Sequence, residues 1–95
     1  MYTIYVKFHC FPQKREAFIR KMRDSGILAA IRAEDGCQTY DYYLSEEHPD
    51  DILLIEQWAS KAHQQVHLTQ PHMAQMRTFK DDYIAKTTSG EIEVK

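Results

Sequence analysis

The sequence predicts an α+β fold in the order β-α-β-β-α-β, and three observations carry it. Residues 2–10 alternate with period two, the signature of a strand. From Gln13 to Ile31 the apolar positions change to helical spacing. Two more strand-like runs, 38–45 and 52–59, are parted only by a short polar turn, which reads as an antiparallel hairpin.

Each element follows from its own residues. In the first strand Tyr2, Ile4, Val6 and Phe8 share one face, and Thr3, Tyr5, Lys7 and His9 the other. Pro12 marks a helix start, and Phe18, Ile19 and Met22 give the helix its apolar stripe. Ser25-Gly26 interrupts the stripe; Ile27, Leu28 and Ile31 resume it. Asp35-Gly36 ends it, with glycine as a left-handed cap. The third strand is apolar on both faces through Ile55, so it belongs in the middle of the sheet. Ser60 caps a short helix ending near Leu68. Pro71 opens another helix, with Met73, Met76, Phe79, Tyr83 and Ile84 at helical spacing. Thr87–Gly90 reads as a turn and 91–94 as a short last strand. This order is the ferredoxin-like split βαβ. Its helices cover one face of the sheet, so the other calls for a second sheet and a homodimer.

Ninety-five residues make one domain, spanning 1–95. A 43% hydrophobic and 27% charged composition is that of an ordinary globular chain. The net charge of −2 implies no basic face, so nucleic acid is not an expected partner. No apolar run approaches the ~20 residues that span a membrane. Lys7 and the polar alternation around it leave no export signal. Cys10 and Cys37 make no disulfide framework, and a reduced, cytoplasmic setting is expected.

Several side chains could carry chemistry. Glu56 and Trp58 lie two apart on one strand and therefore point the same way. A carboxylate beside an aromatic surface has its proton affinity raised by desolvation, which makes a base near neutral pH. The plainer alternative is an ion pair across a subunit interface. His63 and His67 are four apart on a helix, a spacing that can chelate a metal. No third ligand stands at a recognisable spacing, so no metal is expected, and His67 rather than His63 is expected to face a pocket. His72 follows Pro71 in a first helical turn, where the helix dipole disfavours imidazolium. The glycines, Gly26, Gly36 and Gly90, form no phosphate loop.

Three segments together resemble the antibiotic biosynthesis monooxygenase family. They are Glu34-Asp35-Gly36-Cys37-Gln38-Thr39-Tyr40-Asp41-Tyr42-Tyr43, Ile55-Glu56-Gln57-Trp58-Ala59-Ser60, and His67-Leu68-Thr69-Gln70-Pro71-His72-Met73. The resemblance implies a dimeric α+β barrel of two sheets packed face to face. It implies no single activity, since the family holds cofactor-free oxygenases of quinols and phenols, haem-degrading oxygenases, and an isomerase of the phosphorylated autoinducer-2 signal. The haem-degrading branch uses a histidine where Arg77 stands here and an asparagine where Val6 stands. The isomerase branch shares Pro71-His72, and Lys7, Arg32 and Arg77 are the cations available for its phosphate.

The expected function is a cofactor-independent monooxygenase acting on a quinol or small aromatic phenol. His67 or His72 would deprotonate the substrate, with Glu56 as orienter. Trp58, Tyr40 and Phe79 would stack on the ring, with Met76 at the pocket wall. The alternatives are an isomerase of a phosphorylated hydroxy-diketone, using the same histidines and Glu56, and a non-catalytic dimeric small-molecule binder.

Overall fold

The alternation at the N-terminus forms β1 (Tyr2–Cys10), and its even side, through Ile4, Phe8 and Cys10, is buried. The computed structural model describes residues 1–93. After β1 come α1 (Arg15–Asp24), α2 (Ile27–Arg32), β2 (Cys37–Leu44) and β3 (Asp51–Trp58). Then follow α3 (Lys61–His67), α4 (Pro71–Arg77), α5 (Lys80–Tyr83) and β4 (Ile84–Glu91). The strands form one antiparallel sheet in the order β2-β3-β1-β4, the ferredoxin-like arrangement with β3 and β1 at its centre.

Register decides what each face carries. Ile4 pairs with Glu56, Val6 with Leu54 and Phe8 with Ile52, so the even residues of β1 and β3 share the helix-covered face. On β2, Tyr40 lies opposite Glu56 and Tyr42 opposite Leu54, on that same face. Phe18 of α1, fully buried, packs edge-on against Phe8 with ring centroids 5.6 Å apart. Burying a side chain of this size contributes ~1.5–3 kcal/mol. Among the described residues the other face carries no helix. Tyr5, Leu53 and Ile55 lie on it, and Leu53 and Tyr43 are exposed large apolar residues there.

Helix α2 also touches the sheet's margin. Arg32, its last residue, donates from Nε and Nη2 to the Tyr40 carbonyl at 3.0 and 2.9 Å. That carbonyl belongs to β2, an edge strand.

Three expectations are corrected. The first helix begins at Arg15, not Gln13, because Gln13 has a positive φ of 67° and its N–H donates to Asp50 Oδ1. The Arg15 guanidinium then holds the β2–β3 turn through the Ser45 carbonyl at 2.9 Å. The helix from Pro71 is two helices, and Ile84 has extended backbone and begins β4. Thr87–Gly90 is strand, not turn: Thr87 pairs with Phe8 and Gly90 with Tyr5. Hydrogen bonding along β1 outweighs their turn preference, and an edge strand tolerates polar residues. A Cβ on Gly90 would stand 2.9 Å from Tyr5 Cε1, so glycine there permits the close approach of ring and strand. Of the expected strand 91–94, Val94 lies outside the described residues.

Candidate active site

Two carboxylates organise the helix-covered side of the sheet near the C-terminal end of β3. The first is Glu56, whose side chain is buried beneath the helices. Trp58 Nε1 donates to Glu56 Oε1 at 3.0 Å, as two residues sharing a strand face allow. Burial raises the Glu56 pKa to about 7; the indole N–H opposes this and the negative charge of Glu34 adds to it. Glu56 is thus poised to hold or release a proton near neutrality. Tyr40, opposite it on β2, is buried, and its phenol pKa is raised well above 10 by desolvation. The Tyr42 hydroxyl is buried without a hydrogen-bond partner among the described residues.

The second carboxylate is Glu34, in the segment between α2 and β2. Gly36 turns this segment with φ 82°, a conformation glycine adopts at no cost. Its carbonyl accepts from the Ala59 N–H at 2.8 Å, fixing the turn beside the end of β3. A Cβ on Gly36 would overlap the His63 imidazole, so glycine also lets α3 come close. Ser60 caps α3, its Oγ accepting from the His63 N–H. One turn after His63, His67 presents Nδ1 to Glu34 Oε2 at 2.7 Å. Pro71 starts α4, and His72 brings Nε2 to the same oxygen at 2.8 Å. The His67 pKa is lowered by burial, against the hydrogen bond and negative charge of Glu34.

Trp58 joins the two centres. Its ring packs on His67 with centroids 4.7 Å apart, while its N–H reaches Glu56. Tyr40 meets His67 edge-on at 5.8 Å. Glu56, Trp58, Tyr40, His67 and His72 therefore stand in one connected cluster. The hydrogen bonds of His67 and His72 run to Glu34, whereas that of Glu56 runs to Trp58. Phe79 is outside the cluster, packing against Tyr83 at 6.1 Å and under the Lys21 ammonium. Met76 is buried in the hydrophobic core. His63 bonds Ser60 Oγ at 2.7 Å and does not join His67 on a common partner.

Glu34 and Tyr42 are what the sequence reading missed as site residues. Glu34 is 33 and 38 residues from its histidines, a separation no motif spacing reveals. The nearest signal was the glycine two residues on, which marks a tight turn. Cys10 is fully buried, and desolvation raises its thiol pKa to about 11, so it is not a nucleophile. Among the described residues no helix is long and apolar enough to cross a membrane.

The geometry has counterparts in known proteins. The antibiotic biosynthesis monooxygenase family model matches residues 1–78. The Escherichia coli protein named probable quinol monooxygenase YgiN is 36% identical over 55 residues, covering 50% of this chain and 53% of that protein. The Synechocystis sp. protein sll1783 is 28% identical over 81 residues, covering 85% of this chain and 54% of that protein. The chain thus spans about half the length of the curated relatives it matches. The crystal structure of PA3566 from Pseudomonas aeruginosa shares the fold with a TM-score of 0.85 at 22% identity, over 98% of this chain and 92% of that one. Rv0793 from Mycobacterium tuberculosis does so with a TM-score of 0.81 at 24% identity, over 98% and 93%.

Proposed function

The chain belongs to the antibiotic biosynthesis monooxygenase family, and from that premise we propose that it oxidises a quinol or small phenol with O2, without a redox cofactor. The observation that carries this reading is Glu56: a buried carboxyl with a pKa of about 7, hydrogen-bonded to Trp58, opposite Tyr40 and on the same sheet face as Tyr42. Ground-state O2 accepts electrons singly, and a quinol anion donates one far more readily than the neutral quinol. Glu56 takes the hydroxyl proton and so generates the anion. One oxygen atom enters the ring, the other leaves as water, and the two ring hydroxyls become carbonyls. All four electrons that O2 accepts come from the substrate, so no external reductant enters the balance. Trp58 and Tyr40 are the rings beside Glu56; all three are buried, so a substrate ring stacks on them only once the covering helices part. Tyr42 supplies a hydroxyl for the substrate oxygen, and His67, tethered together with His72 by Glu34, holds the Trp58 ring from behind.

In the same reading the chain is a cytoplasmic homodimer whose helix-free sheet faces meet. Tyr5, Tyr43, Leu53 and Ile55 support this, since a sheet face of that character is buried in sheet-on-sheet packing. Sedimentation equilibrium should return about twice the chain mass of 11.2 kDa; a single monomeric species at high micromolar concentration would remove the dimer.

The activity is tested with an oxygen electrode and a panel of benzo- and naphthoquinols. Uptake should rise with pH through about 7, as Glu56 loses its proton. Glu56→Gln should lower turnover by ~10²–10⁴-fold while the protein stays folded. An unchanged rate in that variant would overturn Glu56 as the base, and no uptake on any quinol would overturn the reading itself.

A further inference from the structure

We propose that Glu34, His67 and His72 form a binding site for one divalent first-row transition-metal ion, taken up from the cleft beside Glu34. The donor atoms are Glu34 Oε2, His67 Nδ1 and His72 Nε2, and all lie within 4.8 Å of one another. Both imidazoles aim a nitrogen at the same carboxylate oxygen, from 2.7 and 2.8 Å. A zinc-type ion bonded at ~2.0–2.1 Å to each donor sets neighbouring donors about 3.3 Å apart. Each imidazole nitrogen therefore needs to draw back from Glu34 Oε2 by only about half an ångström to admit one.

Burial is graded across the set. The side chains of His67, Glu34 and His72 are 2%, 10% and 18% exposed. One side of the site is dry and rigid, against the Trp58 ring, and the other is open. Glu34 also lines a mostly apolar cleft of about 340 Å³ with Asp35, Ala62, His63, Val66 and Gln70. Water reaching the ion from that side completes the coordination. Three protein donors with open positions describe an exchangeable site rather than a closed structural one. Two imidazoles and one carboxylate suit Zn²⁺, Co²⁺, Mn²⁺ or Fe²⁺, whereas Mg²⁺ and Ca²⁺ favour oxygen-only shells. A bound ion would clamp α3 and α4 to the α2–β2 segment, three pieces of chain that otherwise meet there through hydrogen bonds to one oxygen.

The experiment uses untagged, chelator-stripped protein titrated with Co²⁺ and, in parallel, Zn²⁺, Mg²⁺ and Ca²⁺. Expected is saturable one-to-one Co²⁺ binding with d–d absorption bands, and competition by Zn²⁺ but not by Mg²⁺ or Ca²⁺. With metal at a hundredfold over its Kd the melting temperature should rise by roughly 10 °C. Glu34→Gln and His72→Ala should each weaken binding by roughly 100-fold or more, beyond the effect usual for outer-shell partners. His63→Ala and His9→Ala should leave it unchanged, excluding the His63–His67 pair and the His9–Asp51 pair on the open sheet face. Should Glu34→Gln fail to fold, His72→Ala decides, because His72 sits in the first turn of α4 and is partly exposed. No saturable Co²⁺ binding by wild type, or binding that survives His72→Ala, would overturn the site. The readout is metal occupancy, not turnover, so it stands or falls apart from the oxygenase reading.

Discussion

Glu34 and Glu56 are the same residue type, one reaching Trp58 through His67 and the other bonded to it directly, and the protein gives them opposite surroundings. Glu34 sits at the mouth of a cleft with two imidazole nitrogens on one oxygen. Glu56 is sealed under the helices with a neutral indole N–H as partner. A carboxyl buried with only a neutral donor for company has its charged form penalised by desolvation. That is why Glu56 titrates near 7. The comparison teaches that position and burial, rather than residue identity, suit the two to the different roles proposed for them: proton transfer for Glu56 and ligation for Glu34.

The sharpest way to break the comparison is to remove what joins its halves. Trp58 is fully buried, so Trp58→Ala should cost about 3–5 kcal/mol and disturb both centres, read as a fall in the urea midpoint. Trp58→Phe keeps an aromatic ring, though a smaller one, and removes the N–H; it should raise the Glu56 pKa further, since that donor lowers it.

Next in size is Glu56→Gln, which separates stability from activity. The folded-state pKa of Glu56 is raised from 4.5 to about 7. Protonation therefore favours the folded state: this contribution is complete below pH 4.5 and is lost as pH rises to about 7. By linkage the loss is about 3 kcal/mol. Glutamine keeps an oxygen for Trp58 and carries no charge to desolvate. The variant should match wild type near pH 4.5 and exceed its stability at pH 8 by up to about 3 kcal/mol. Denaturation curves at the two pH values check this, and equal pH slopes for both proteins would refute it.

Two smaller changes act on the Glu34 side alone. Gly36→Ala places a Cβ against the His63 ring at a positive φ and should cost about 2 kcal/mol. It should leave the slope between pH 4.5 and 8 intact, because Glu56 is untouched; a flattened slope would show that the two centres are not separable. Ser60→Ala removes the cap of α3 and should cost about 1 kcal/mol. Its signature is faster amide exchange confined to residues 61–67.

The sequence was informative where the cause of structure is local. Alternation in 2–10 and the Ile52–Ile55 run located the two central strands, and the i, i+2 relation of Glu56 and Trp58 fixed their shared face. It misled at residues 87–90. There Thr, Ser and Gly preferences favour a turn, while the unpaired edge of β1 supplies a template that no local pattern records. Glu34 was hidden for a related reason. Its partners come from α3 and α4, and only the Gly36 turn, pinned to the Ala59 N–H, brings the three together. The pairing of His67 with His72 rather than His63 likewise depends on how two helices meet, not on spacing within one.

Arg32 bears on how the molecule behaves in a crowded solution. Strand β2 is an edge, and a free edge offers its carbonyls as a template on which a strand from another chain can grow. By lodging its guanidinium on the Tyr40 carbonyl and beside Asp41, Arg32 occupies that template in mid-strand with a fixed cation. An invading strand would have to strip away a charge-assisted hydrogen bond and bury the guanidinium it displaced. A side chain outside both carboxylate centres thus opposes edge-to-edge polymerisation, the hazard that accompanies every open sheet.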